Sequence, residues 1–175
     1  MNTKKHFTTF ELVNVYAYFN TEFPAEQAKE LPTKIRWNLK RNLEKIAPIA
    51  KGFEEFRDNL LEELQKEWFV PEKTDEVMQT KMDENNNPVL DENGNEVTEK
   101  MMKIKDEFMD DYQDAVNLLN SKLQEILLES NEIDILSVDL DAFVDSVSND
   151  SAITFDSLNM LSFMDETTNV VSGEA

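Results

Sequence analysis

Between Thr33 and Trp68 the apolar residues Ile35, Leu39, Leu43, Ile46, Ile49, Phe53, Phe56, Leu60, Leu64 and Trp68 recur at steps of three and four. That spacing marks one face of an α-helix and predicts a single long helix. At about 1.5 Å per residue it would be roughly 50 Å long, so its apolar stripe needs an extended partner. Ile104, Phe108, Tyr112, Val116, Leu119, Leu123 and Leu127 repeat the period. The expected fold is therefore mainly α: a long antiparallel, coiled-coil-like helical hairpin with a small β-hairpin at its tip and short N- and C-terminal elements packed at its base. On this reading residues 1–165 are one domain, 71–100 are the tip insertion and 166–175 are a flexible acidic tail.

Shorter signals fill in the rest. Thr8 stands three residues before Glu11, the spacing of a capping box, and predicts a short N-terminal helix across the base of the hairpin. Thr33, after Pro32, is expected to cap the long helix, and Pro48 to bend it near Lys45 by removing a backbone donor. Within Pro88–Thr98, Asn93-Gly94 supplies two positive-φ positions for a type I′ turn between short strands. Ile133–Leu140 alternates partly with period two and is expected to be extended. Asp139–Val147 is expected to make a helical turn or two, and Thr154 or Asp156 to cap a last helix reaching Met164.

Charge changes this picture more than composition does. The 175 residues include no cysteine and three glycines, and their formal charge is −20. No disulfide, thiol nucleophile or thiolate metal site can be built. No apolar stretch approaches the roughly 20 residues of a membrane span, nor does Met1 lead into an apolar leader core, so a soluble protein of the cytoplasm is expected. The net field disfavours direct binding to nucleic acid or anionic membrane. Its distribution is uneven. Residues 1–53 hold Lys4, Lys5, Lys29, Lys34, Arg36, Lys40, Arg41, Lys45 and Lys51 against five acids, whereas beyond Lys122 there are twelve acids and no Lys or Arg. Either the acidic end neutralises the basic start of the long helix, or one of the two surfaces is kept for a partner. The candidate partner-binding residues are Lys34, Arg36, Trp37, Lys40 and Arg41 on the basic side, and Asp139, Asp141, Asp145 and Asp150 on the acidic side.

Catalytic chemistry finds little purchase. His6 is the only histidine, and Gly52, Gly94 and Gly173 are too dispersed to cradle a phosphate. Asp91, Asn93 and Asn95 occupy the first, third and fifth positions of an EF-hand-like loop, but Glu96 stands where Gly is required and Met102 where the bidentate Glu belongs. Asp110-Asp111, Asp139/Asp141 and Glu62-Glu63 are adjacent carboxylates that nothing distinguishes from solvated acids. No enzyme activity, cofactor or metal is expected.

The order of parts, with the segment Leu31-Pro32-Thr33-Lys34-Ile35-Arg36-Trp37-Asn38-Leu39-Lys40-Arg41-Asn42-Leu43, the Asp/Asn/Gly-rich stretch near Gly94 and the acidic Ile/Leu end, resembles small helical-hairpin proteins of tailed bacteriophages. The resemblance covers roughly residues 7–165 and implies a source in the host cytoplasm but no chemistry. A weaker likeness is to prefoldin subunits. The expectation is a non-enzymatic protein-protein interaction protein, a phage accessory product that docks on a phage or host protein or on a second copy of itself. The alternatives are an acidic nucleic-acid-mimicking inhibitor of a host defence protein and a prefoldin-like chaperone.

Overall fold

The computed structural model describes residues 2–146 and 151–166. In chain order the elements are β1 (Asn2–Thr8), α1 (Thr9–Ala17), a π-helical turn (Tyr18–Glu22), α2 (Ala25–Glu30), α3 (Thr33–Trp68), β2 (Thr74–Thr80) and β3 (Thr98–Ile104). A 3₁₀ turn (Asp106–Phe108), α4 (Met109–Leu127), β4 (Ser130–Leu136), α5 (Leu140–Ser146), α6 (Phe155–Leu161) and a second 3₁₀ turn (Ser162–Met164) follow. This corrects the expected fold class. The fold is mixed α/β: among the described residues 60% are helix and 21% strand, in six helices and two small antiparallel sheets, and a helical hairpin with a β-hairpin tip is not evident.

The reason lies in what covers the apolar stripes. Asn2–Thr8, for which the sequence pattern predicts no element, pair with β4, from Asn2 opposite Leu136 to Thr8 opposite Ser130. Neither Ile104 nor Phe108 is α-helical: Ile104 ends β3 and Phe108 lies in a 3₁₀ turn, so α4 starts at Met109. Contacts divide the chain into two compact units, residues 1–56 with 123–175, and residues 57–122.

In the first unit the β1–β4 sheet, α1, α5, α6 and the start of α3 share one core. Phe7, Leu12, Ile35, Leu39, Ile46, Ile133, Ile135, Leu161 and Met164 are all buried in it. The capping box of α1 forms as its spacing predicts, with Thr8 Oγ1 accepting from Glu11 N–H at 3.2 Å and Glu11 Oε2 accepting from Thr8 N–H at 2.7 Å. Helix α3 begins at Thr33 itself and runs unbroken through Pro48.

The edge of β4 that β1 does not use is met by side chains of α3. Asn42, fully buried, donates to Leu136 C=O at 3.1 Å and accepts from Leu136 N–H at 2.8 Å, as a neighbouring strand would. Asn38 donates to Ser137 C=O at 3.3 Å, and the Lys45 ammonium donates to Asp134 C=O. Positions 38, 42 and 45 are successive steps of one helical face, so a polar stripe on α3 satisfies the sheet edge.

Lys5 is also buried. It crosses to the C-terminal segment, donating to Phe163 C=O at 3.2 Å and to Asp165 C=O. Val138 N–H donates to Met164 C=O and Glu166 N–H to Val138 C=O, which holds the same segment beside the sheet. Burial pushes the Lys5 ammonium below the ordinary lysine value of 10.5, against the raising pull of Asp165.

The second unit contains Trp68, which packs edge-on to Tyr112 at 5.5 Å and lies under the Lys73 ammonium at 4.0 Å. Strands β2 and β3 pair from Thr74 opposite Ile104 to Thr80 opposite Thr98. Between them the chain repeats itself every eight residues, Asp83-Glu84-Asn85-Asn86-Asn87 and Asp91-Glu92-Asn93-Gly94-Asn95. Each copy closes identically. Asp83 Oδ1 accepts from the N–H of Asn85 and Asn87, and Asp91 Oδ1 from those of Asn93 and Asn95.

The fourth residue of each copy is left-handed, Asn86 at φ 64° and Gly94 at φ 81°, while Asn93 is not. The expected type I′ turn at Asn93-Gly94 is thus replaced by a three-residue loop, because the aspartate draws in two further amides. A ring of backbone bonds joins the two copies: Lys81 N–H to Val97 C=O, Val97 N–H to Val89 C=O and Val89 N–H to Lys81 C=O, each 2.8 Å.

Two measurements check these ties. Asn42→Ala strands the N–H and C=O of Leu136 in a buried site, and is expected to lower unfolding free energy by about 2–4 kcal/mol in urea titrations. For Lys5, the unfolded chain binds more protons than the folded one between the depressed folded value and 10.5. Its contribution is therefore most unfavourable below the folded value and becomes less so as pH rises through that window. Lys5→Met is expected to flatten the rise, read as the difference between the two proteins' urea midpoints along a series from neutral pH to 10.5.

Candidate functional site

The first unit carries an open cleft of about 440 Å³. Its floor is built from four successive elements. Helix α1 and the π-helical turn deliver Tyr16 and Phe19, and Phe23 follows where its N–H closes that turn on Tyr18 C=O at 2.9 Å. Phe19 stands edge-on to Phe23 at 5.1 Å, so the two rings brace each other. Helix α2 and the residue after it supply Ala28 and Leu31, and α3 supplies Leu39, Leu43 and Ala47.

Helix α2 is too short to hold its place by its own hydrogen bonds and is pinned from α6. Ser157 Oγ donates to Gln27 Oε1, and Tyr18 Oη lies 2.7 Å from Ser157 Oγ. Glu30 accepts from the Ser151 hydroxyl and from Ala152 N–H at 3.0 Å. These two bonds, the hydroxyl first, hold the Glu30 carboxyl below the usual carboxylate range.

The rim is cationic. Arg36 and Lys40, one helical turn apart on α3, line it together with Asn20 and Glu44. Among the described residues Glu44 is the one acid lining the cleft, and Arg41 holds its carboxylate at 3.0 Å. Arg36 reaches only Thr33 Oγ1, at 3.4 Å, and among the described residues neither Arg36 nor Lys40 is in an ion pair. Trp37 is 59% exposed and shares a helical face with Lys40, Arg41 and Glu44.

Of the basic candidates, the structure brings Arg36 and Lys40 to the cleft, sets Trp37 and Arg41 beside them on α3, and leaves Lys34 exposed outside its lining. The acidic candidates do not form a comparable site. Asp139 accepts from Ala142 N–H at 2.9 Å and so caps α5, Asp141 and Asp145 are exposed on α5, and Asp150 lies outside the described residues. The expected neutralisation of α3 by the acidic end takes another form. Lys45 bonds a backbone carbonyl, and among the described residues Lys4 of β1 pairs with Glu132 of β4 at 2.7 Å. That pair raises the Lys4 ammonium and lowers the Glu132 carboxyl.

The sequence does not single out Tyr16, Phe19 and Phe23 as lining, since apolar side chains in and just after a short helix look the same whether they fill a core or face a cleft. Among the described residues no group of three or more His, Asp or Glu side chains is placed to hold a metal ion, and no helix is long and apolar enough to cross a membrane. Comparisons with protein-family models, with curated proteins and with solved structures found no match.

Trp37 contributes to no buried cluster, so Trp37→Ala is expected to change unfolding free energy by no more than about 0.5 kcal/mol. A larger loss in urea unfolding would show that the exposed indole serves the fold instead of the surface.

Proposed function

We propose that the chain is a non-enzymatic protein-protein interaction protein, a bacteriophage accessory product acting in the host cytoplasm, and that the cleft between α1, α2 and α3 receives its partner. The observation that carries this reading is the pairing of an apolar, aromatic floor with the unpaired cations Arg36 and Lys40. Clefts of this size with a mostly apolar lining and a few placed charges are common binding sites, and Trp, Tyr and Arg dominate binding energy at interfaces. Among the described residues, the ionisable groups lining the cleft are Tyr16, Arg36, Lys40 and Glu44, the last already paired with Arg41.

The acidic-mimic alternative draws on Asp141 and Asp145 alone among the described candidates, since Asp139 is occupied as a cap. The chaperone alternative loses its basis with the two-helix coiled coil.

A photo-reactive benzoylphenylalanine at Lys40, in the full chain expressed in bacterial host cells, is expected to give a discrete protein adduct. The same group at Glu62 should not, and Arg36→Glu in the Lys40-labelled chain should remove the adduct. No adduct at Lys40 above the Glu62 background would end the proposal.

A further inference from the structure

The cleft's chemistry specifies its partner more narrowly, and this step rests on the interaction reading above. We propose that the cleft binds an acidic amphipathic segment of another protein, with two neighbouring bulky apolar side chains seated on the Phe19–Phe23–Leu43 floor and flanking carboxylates on Arg36 and Lys40.

Charge complementarity selects this occupant. The molecule carries −20 overall, yet among the described residues the two rim cations have no counter-ion and the one acid lining the cleft is engaged by Arg41. An unpaired arginine beside an apolar floor presents a planar fork that takes a carboxylate through two parallel bonds. A helical segment with apolar residues at steps of three and four lays just such a stripe into a groove, with acids at its margins. Single-stranded nucleic acid fits less well. It needs a track of cations along its backbone and bases stacked on aromatic faces, whereas here two cations sit one helical turn apart and Phe19 and Phe23 meet edge to face. The Trp37 indole next to Lys40 extends the apolar surface beyond the floor, suiting a segment longer than a single side chain.

The test uses the full chain and a fluorescein-labelled peptide of sequence EELFDELL, read by fluorescence anisotropy. Saturable binding is expected, weakened at least about tenfold when the acids are replaced by their amides and lost when Leu and Phe become Ala. In the protein, Arg36→Glu with Lys40→Glu should weaken the acidic peptide at least about tenfold and leave the amide peptide unchanged. Both positions are exposed, so folding should be retained, with circular dichroism as the check. Ala47→Phe, which fills the floor, should weaken both peptides.

Equal affinity for the acidic and amide peptides would overturn the proposal. So would binding of a twenty-nucleotide oligothymidylate, or of vesicles of anionic phospholipid, more tightly than the peptide. If the peptide fails while the Lys40 adduct forms and depends on Arg36, the interaction reading stands and the acidic-segment assignment falls. If both fail, the cleft is not a docking site.

Discussion

An unpaired strand edge must find donors and acceptors, and in this chain α3 provides them. A two-stranded sheet such as β1–β4 is marginal in water by itself, and the outer edge of β4 would expose the backbone groups of Asp134, Leu136 and Ser137 next to the apolar core. Asn38, Asn42 and Lys45 meet those groups from one face of α3. With the amide of Asn42 acting as a strand mimic, the helix is fixed in rotation and height against the sheet. Ile35, Leu39 and Ile46 then enter the core, and Arg36, Leu43 and Ala47 are left to form one side of the cleft. Cleft and sheet are thus two consequences of a single docking register.

How much of this could be read from the sequence follows from what each residue type announces. Helix α3 declares itself because a period of 3.6 over thirty-six residues admits no other structure. Likewise the caps Thr8 and Thr154 act where their spacing places them. Asn38 and Asn42 say nothing in advance, since an asparagine facing water and one paired to a buried strand look alike until the strand is located. Strand β1 is hidden for a related reason: Lys5 reads as a charged surface position, yet its stem fills the core and its ammonium is met by carbonyls. Once β1 is missed, the stripe of α3 lacks a partner, and the helical hairpin becomes the only apparent cover. The tandem turns are legible in the eight-residue echo of Asp83-Glu84-Asn85 by Asp91-Glu92-Asn93, but only the second copy carries the Asn-Gly pair that marks a turn.

The charge asymmetry was legible as a number and misleading as a contact map. Opposite charges at the two ends of the chain suggest ion pairs between them, but an exposed pair gains little over hydration, and cations settle wherever geometry offers oxygen. Lys5 and Lys45 donate to backbone carbonyls, and Arg41 takes the glutamate one turn ahead on its own helix. Of the cations that these local choices leave without a carboxylate among the described residues, Arg36 and Lys40 are the two that stand beside the aromatic floor. The candidate site is defined by subtraction as much as by pattern.

A strongly acidic protein with a cationic cleft is not self-contradictory, because the two act over different distances. At physiological ionic strength the screening length is about 8 Å, so most of the acids elsewhere on the surface contribute little field inside the cleft. At contact distance the guanidinium of Arg36 dominates, and the apolar floor beneath it lowers the local polarity and strengthens any carboxylate bond made there. The distant acids then act mainly on encounter, slowing the approach of any polyanion and penalising those that carry charge densely along their whole length. An acidic peptide segment with a few carboxylates around an apolar anchor escapes most of that penalty, whereas a nucleic acid does not. The cleft and the net charge together therefore discriminate among anions in a way that neither would alone.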